Sequence, residues 1–435
     1  MSYSLVLSCL AGAAVAIWIS SRFFRHLLSP FSIFYSTWFI ALAFYHMNLI
    51  GYLPVTRSGW TLITISMVTF GLGWLIPFLA WSPRDSLPID VIPRRVSADR
   101  LFMVICACFI LGAIAFATFL YAVHNQLGIE SFVTSPVDIR DSMSTKGGLV
   151  EPLKPLSWLN VANVALCTYY LFGVKGPRRG WVWAVLVLSL LVLPTLQDRI
   201  HFFFAAVWAG CVLLYSSRVT FKRLMAVALI GMSLLVAQFM AVAYWLGKVA
   251  ENNPMLMEVA NVEESQLLML PVYMYLTVSF PAFQIHINSA PRPTYGAMTF
   301  YPLFQVLNKV DPTLETPPVI GEFIFVPSPS NTYTWLQEFY DDFGAAGVWI
   351  GPWVLGVLTS FFYFQMLSTR STFTTLMSGV FSFCLALSIY ANHFTQGPAW
   401  YFVAVCFLID RFIRRPGNVD QLLPASAPRT PSLPS

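Results

Sequence analysis

The chain has 435 residues, of which 57% are hydrophobic and only 10% charged, and its formal net charge is +5. Soluble globular domains carry about 25% charged residues, so an ordinary soluble fold is excluded. A lipid-exposed open sheet is excluded too, because its edge amides would lack partners, and the short alternating segments of a β-barrel are absent. The composition predicts an all-α, polytopic membrane protein.

Eleven apolar segments approach or exceed the ~18–20 residues that a bilayer-crossing helix needs. In chain order they cover residues 3–19, 31–51, 60–81, 101–123, 158–174, 181–196, 201–215, 224–246, 345–366, 373–390 and 395–412. The sixth, seventh and last are short. The connecting turns are asymmetric in charge. One side holds 17 of the 25 Lys and Arg residues, including Arg22, Arg100, Arg178, Arg223, Arg370, Arg411 and Arg414. The other side holds 15 of the 20 acids. The positive-inside tendency places the basic side in the cytoplasm, with the N-terminus outside and the C-terminus inside. The first basic residues follow the first apolar run, which argues against a cleavable signal peptide.

The segment 267–287 is apolar, but Pro271 and Pro281 interrupt it. Counting it as a crossing would send Arg370 and the Arg411–Arg415 cluster outside. It is therefore expected as amphipathic helices lying on or dipping into the outer interface. The outer loops 124–157 and 247–344 are long, and loops of that length are usually functional or disordered. The turn formers and aromatics of the second argue for order. Residues 1–415 read as one transmembrane domain and 416–435, rich in Pro and Ser, as a disordered cytoplasmic tail. No internal repeat is visible, so the inverted-repeat signature of many transporters is missing. The seven cysteines all fall in apolar runs and read as small core residues.

Candidate chemistry is confined to the outer side. Arg199, in the turn Gln197-Asp198-Arg199-Ile200-His201, opposes the charge asymmetry at membrane depth. A guanidinium there suits a lipid diphosphate, whose oxygens match its planar fork; a turn marking the interface is the alternative. Arg140 precedes Lys146-Gly147-Gly148, a backbone able to approach an anion closely, or else sits in a solvated loop. Arg292 is stiffened by Pro291 and Pro293, as suits a ligand contact or a plain surface turn. Arg57 reads as an interface anchor. Glu338 and Asp342 are four apart and share a helix face, where a carboxylate could take a proton from a hydroxyl. Asp341 reads as a helix cap, and Glu322, flanked by Ile320 and Phe323, is a further carboxylate candidate. His286 and His393 are outer-side histidines suited either to a base or to the interface. Tyr295, Tyr333 and Trp335 could stack on sugar rings or belong to an interfacial belt. No metal-ligand spacing, phosphate-cradling loop, nucleophile elbow or nucleic-acid-binding basic stripe is present.

The order of these features resembles the O-antigen polymerase family, the repeat-unit polymerases of bacterial surface polysaccharides. The residues that carry the resemblance are Tyr295-Gly296-Ala297-Met298-Thr299-Phe300 with Pro302-Leu303, then Asn331-Thr332-Tyr333-Thr334, then Tyr340-Asp341-Asp342-Phe343-Gly344-Ala345-Ala346-Gly347. The hairpin bearing Arg199 matches as well. A family spacing of arginine to glycine is absent, since Glu151 and Leu303 stand where glycines would follow Arg140 and Arg292. The resemblance implies a metal- and cofactor-independent, inverting glycosyl transfer at the periplasmic face of the bacterial inner membrane. Donor and acceptor would both be glycans on polyprenyl diphosphate, with a chain-length-regulating co-polymerase as a further partner. Arg140, Arg199 and Arg292 would hold the diphosphate, Glu338 or Asp342 would be the base, and Tyr295, Asn331, Tyr333 and Trp335 would contact sugar. The competing expectations are a ligase that transfers the glycan to a lipid core, and a flippase, for which His46 is the main mid-span ionisable candidate.

Overall fold

Short polar residues and prolines set the helix ends. The computed structural model describes residues 3–24, 26–81, 96–135, 138–139, 142, 153–193, 199–217, 229, 231, 233, 236–237, 240–241, 244, 258–260, 269–314, 316–317, 321–327 and 329–414. Helix α1 covers Tyr3–Phe23, α2 Pro30–Met47, α3 Arg57–Ala80 and α4 Ala98–Leu127. The short α5 covers Ser131–Thr134, and α6 runs Lys154–Thr168 into a π-turn, Tyr169–Val174. Then come α7 Arg179–Val192, α8 Arg199–Ser216, α9 Leu270–Thr277, α10 Ser279–Asn288 and α11 Tyr301–Val310. A two-stranded hairpin pairs Ile324–Phe325 with Pro329–Ser330. The chain closes with α12 Leu336–Thr369, α13 Thr372–Ala386 and α14 Gly397–Ile413. Ser29 and Ser32 form a reciprocal capping box at α2, and Ser97 and Ser371 cap α4 and α13 through their hydroxyls. Each such cap is worth about 1 kcal/mol.

Ten of the eleven expected apolar segments coincide with described helices. The eighth, 224–246, lies mostly outside the described residues, as does the tail 416–435. Among the described residues α1, α3, α4 and α12 are long and apolar enough to cross a membrane, and α7, α8 and α13 are apolar but shorter. An all-α, membrane-embedded chain follows. His46, read as mid-span, instead lies in the last turn of α2 with its ring against Trp60 at 5.7 Å.

The segment 267–287 departs from expectation. Its prolines do break it as predicted: Pro271 stands in the first turn of α9 and Pro281 in the first turn of α10, where the missing N–H costs little. The helices are covered by protein along most of their length, however. Phe280, Ala282 and Phe283 are fully buried, with Phe280 packed on Trp38 and Tyr45 at 5.9 and 5.7 Å. The Gln284 side-chain oxygen accepts from the Thr56 amide and hydroxyl at 3.0 and 2.9 Å. Hydropathy alone does not distinguish an apolar helix facing lipid from one facing protein, and here the aromatic rings of α2 and α3 provide the cover.

Two hydrophobic cores meet along α8 and α13. One gathers residues of α4, α6, α7 and α14 around Phe204, Trp208 and Phe383. The other gathers α2, α3, α10 and α12 around Phe70, Trp74 and Trp335. Helices α3 and α12 approach backbone to backbone: a Cβ on Gly73 would sit 2.1 Å from the Trp353 carbonyl oxygen, and one on Gly356 2.3 Å from that of Phe70. Small residues at such crossings are how apolar helices associate where lipid supplies no hydrophobic driving force.

Contacts between distant residues sort the helix ends. Ser97 donates its amide to Ile413, Arg100 reaches the Phe412 and Arg414 carbonyls, Arg178 pairs with Asp99, and Asp410 accepts from the Phe373 amide. Arg100, Arg178 and Arg414, from three separate turns, therefore share one end of this half of the bundle. Away from it, His201 in the first turn of α8 stacks on Trp158 at 3.9 Å, Phe204 lies on Phe383 at 3.7 Å, and Phe383 touches His393 at 5.2 Å.

Candidate functional site

The site grows from the start of α12. Gly344, at φ 61° and ψ −145°, interrupts the helix. That region of backbone space is essentially closed to residues with a side chain. Residues 336–343 thereby form a short helix set apart from the long apolar one that follows. Gly347 is needed for a different reason, since a Cβ there would meet the Phe339 carbonyl oxygen at 2.0 Å. The short helix turns Asp341 and Asp342 inward, 7% and 1% exposed.

Asp342 is a clasp. One carboxylate oxygen accepts from the Thr294 hydroxyl at 2.5 Å and the Met298 amide at 3.1 Å; the other accepts from the Thr299 amide at 2.6 Å. The Thr294 amide in turn donates to the Asp341 carbonyl at 2.9 Å. The turn 294–299 and the acidic stretch 340–347, two of the three motifs singled out in the sequence, are thus one physical unit. With both oxygens engaged, Asp342 serves the turn and is not placed as the expected base.

Asp341 faces the other way. Its carboxylate meets His286 Nε2 at 2.5 Å, with the His286 side chain 13% exposed. Asp341 lies in the middle of the short helix, not at the cap position the sequence suggested. The Tyr333 ring packs on His286 at 4.9 Å, and its hydroxyl donates to the Glu322 carbonyl at 2.8 Å. Burial, with the Glu322 and Asp341 charges adding to it, pushes the Tyr333 phenol up to about 12, so it stays a neutral donor. A carboxylate on Nε2 fixes the tautomer with the proton on that nitrogen and leaves Nδ1 as the basic one. No described residue is hydrogen-bonded to Nδ1. An imidazole held this way can accept a proton at Nδ1.

Above this pair sits an exposed rim. Tyr295 has a left-handed φ of 48° and Gly296 one of 97°. The Tyr295 ring is 80% exposed, and Arg292 beside it is exposed as well. A strained, bonded turn that presents an unpacked ring is the kind of local cost that accompanies ligand contact. Asn331 is half-buried next to the hairpin. Two of the expected sugar contacts are placed otherwise. Tyr333 is 2% exposed and its hydroxyl is spent on Glu322. Trp335 is fully buried against Phe34 and Phe70 at 5.1 and 6.0 Å. Neither presents a ring face, because both turn inward with the start of the short helix.

Glu338 lies on the same short helix, beside the turn after α13. The Asn392 backbone amide neighbours its carboxyl, and its Oε2 is buried with no hydrogen-bond partner among the described residues. Glu322 is exposed. Arg199 is the first residue of α8, and its side chain lies outside the described atoms. The contacts of His201, Phe204, Phe383 and His393 set the first turn of α8 toward the same end of the bundle as Asn392 and Glu338. Arg140 lies outside the described residues. Among the described residues no group of three or more His, Cys, Asp or Glu side chains is placed to hold a metal ion.

The His286–Asp341 pair was only half legible in the sequence. Each residue stood out as ionisable on the outer side, but 55 positions separate them and no spacing rule joins them. No protein-family model matches the chain, and no curated protein or solved structure does.

Proposed function

We propose that this chain is a membrane glycosyltransferase that polymerises polyprenyl-diphosphate-linked repeat units into a surface polysaccharide at the periplasmic face of the bacterial inner membrane. The observation that carries the reading is the His286–Asp341 pair, bonded through Asp341 and Asp342 to the turn that exposes Tyr295 and Arg292. His286 Nδ1 takes the proton of an acceptor sugar hydroxyl. The freed oxygen attacks the anomeric carbon of the donor glycan as the bond to its diphosphate breaks, and the electron pair leaves with the phosphate. Asp341 stabilises the imidazolium that forms, as a carboxylate does for a catalytic histidine. Cationic donors stabilise the leaving group: Arg292 on the rim, with Arg199 and Arg140 in the same role. Tyr295 offers a ring face to a sugar, and Asn331 a polar edge. The diphosphate is the product that distinguishes polymer growth from transport.

The test is a surface-glycan gel from a deletion strain carrying His286→Ala. Loss of the long ladder with the single-repeat band retained is expected, because a lone unit still reaches its core acceptor. Long ladders at wild-type levels would remove His286 from the mechanism. A deletion strain that lacks even the single-repeat band would point to a flippase or a ligase.

A further inference from the structure

Helix α11, Tyr301–Val310, has no buried residue at all, yet it is half apolar. Apart from Pro302, its residues divide into three stripes at helical spacing. Tyr301, Phe304 and Asn308 are half-buried against the protein, and the Asn308 side chain donates to the Leu314 carbonyl. Leu303, Val306, Leu307 and Val310 fall at i, i+3, i+4 and i+7 and are 47%, 59%, 39% and 82% exposed. Gln305 and Lys309 form the third stripe, also exposed. A helix with one side on protein, one apolar side open and one polar side open has the faces of a helix lying at a membrane surface.

The apolar stripe is not an isolated patch. Phe300, just ahead of α11, and Phe343, just ahead of the Gly344 break, are 44% and 49% exposed. Both rings lie within 4 Å of the same point, the position a Cβ on Gly296 would take. Beyond Gly344, α12 exposes Trp349, Ile350, Trp353 and Val354, from 40% to 58%. This outward apolar face belongs to a helix long enough to cross a membrane, and its tryptophans suit the headgroup level. Phe300 and Phe343, which meet over Gly296, join the start of α11 to the start of that helix. Lys309 is the single cation on the helix, so apolar area and not charge drives the contact.

We infer that α11 is an interfacial anchor whose Leu303, Val306, Leu307 and Val310 face rests in the outer leaflet, with Gln305 and Lys309 toward water. Because Thr299, two residues before α11, is held by Asp342, this anchor also sets the height of the 294–299 turn above the bilayer. The anchor stands whether or not the chain transfers sugars.

The test uses the full chain in nanodiscs of phosphatidylethanolamine and phosphatidylglycerol. A fluorescent amino acid replaces Val306, Val310, Gln305 or Lys309, one at a time, and lipids with a nitroxide on the acyl chain act as quenchers. All four positions are exposed, the replacement at 305 removes one exposed hydrogen bond to Tyr301, and size-exclusion profiles check the fold. Quenching several-fold stronger at 306 and 310 than at 305 and 309 is expected. Equal quenching at all four positions would overturn the inference. So would blue-shifted emission at 306 and 310 without lipid quenching, which would mean that protein, such as a second copy of the chain, covers this face.

Discussion

At the scale of single residues, the site separates two aspartates that the sequence presents side by side. Asp341 orients a histidine; Asp342 holds a turn. Asp342→Ala would leave the Met298 and Thr299 amides without their acceptor, at about 1–3 kcal/mol for each buried donor left unpaired. A lowered melting temperature is expected, with Asp342→Asn, which keeps one acceptor oxygen, in between; an unchanged melt would show that the turn is held by other contacts. Asp341→Asn keeps the shape and removes the charge behind the imidazole. It should lower turnover while leaving the melt close to wild type, and His286→Ala should lower turnover by roughly 10²–10⁴-fold, the usual weight of a positioned base. A sequence shows which groups ionise and on which side of a membrane they lie. It does not show that His286 reaches across 55 residues to Asp341, because that pairing is made by the packing of α10 against α12. The burial of Trp335 and Tyr333 was hidden for the same reason: an aromatic in a loop-rich stretch looks available until the fold turns it inward.

At the scale of elements, glycine chemistry separates two kinds of constraint. Gly344 has open space around its Cα and an unusual backbone conformation, whereas Gly347 is helical and crowded by the Phe339 carbonyl. Gly344→Ala should cost about 1–3 kcal/mol through the backbone alone. At the α3–α12 crossing, Gly73→Ala and Gly356→Ala each insert a methyl against a carbonyl oxygen, at a cost of about 1–3 kcal/mol. The two crossing substitutions share one interface, so their effects should not add, whereas either should add to that of Gly344→Ala. Thermal unfolding in detergent measures all three, and additivity within the crossing pair would contradict the backbone-to-backbone contact. Helix positions were legible at this scale because apolar runs, capping serines and first-turn prolines are local signals. The burial of α9 and α10 was not, because an apolar helix looks the same whether its cover is lipid or the rings of Trp38 and Tyr45.

For the whole molecule, the apolar helices that pack around Phe204 and Trp335 form a frame, and a short helix, a turn and a histidine are held at one end of it. The shared contacts of Arg100, Asp99, Asp410 and Arg414 gather basic turns at one end of the half built around Phe204. A reconstituted assay tests the central claim most directly: purified protein in nanodiscs, a single lipid-linked repeat unit as the only substrate, and simultaneous readout of glycan length and released polyprenyl diphosphate. Chains that lengthen with one diphosphate released per new linkage, and that fail to lengthen with His286→Ala, are the predicted result. Substrate that crosses the bilayer unchanged, or chain growth that is indifferent to His286, would contradict it.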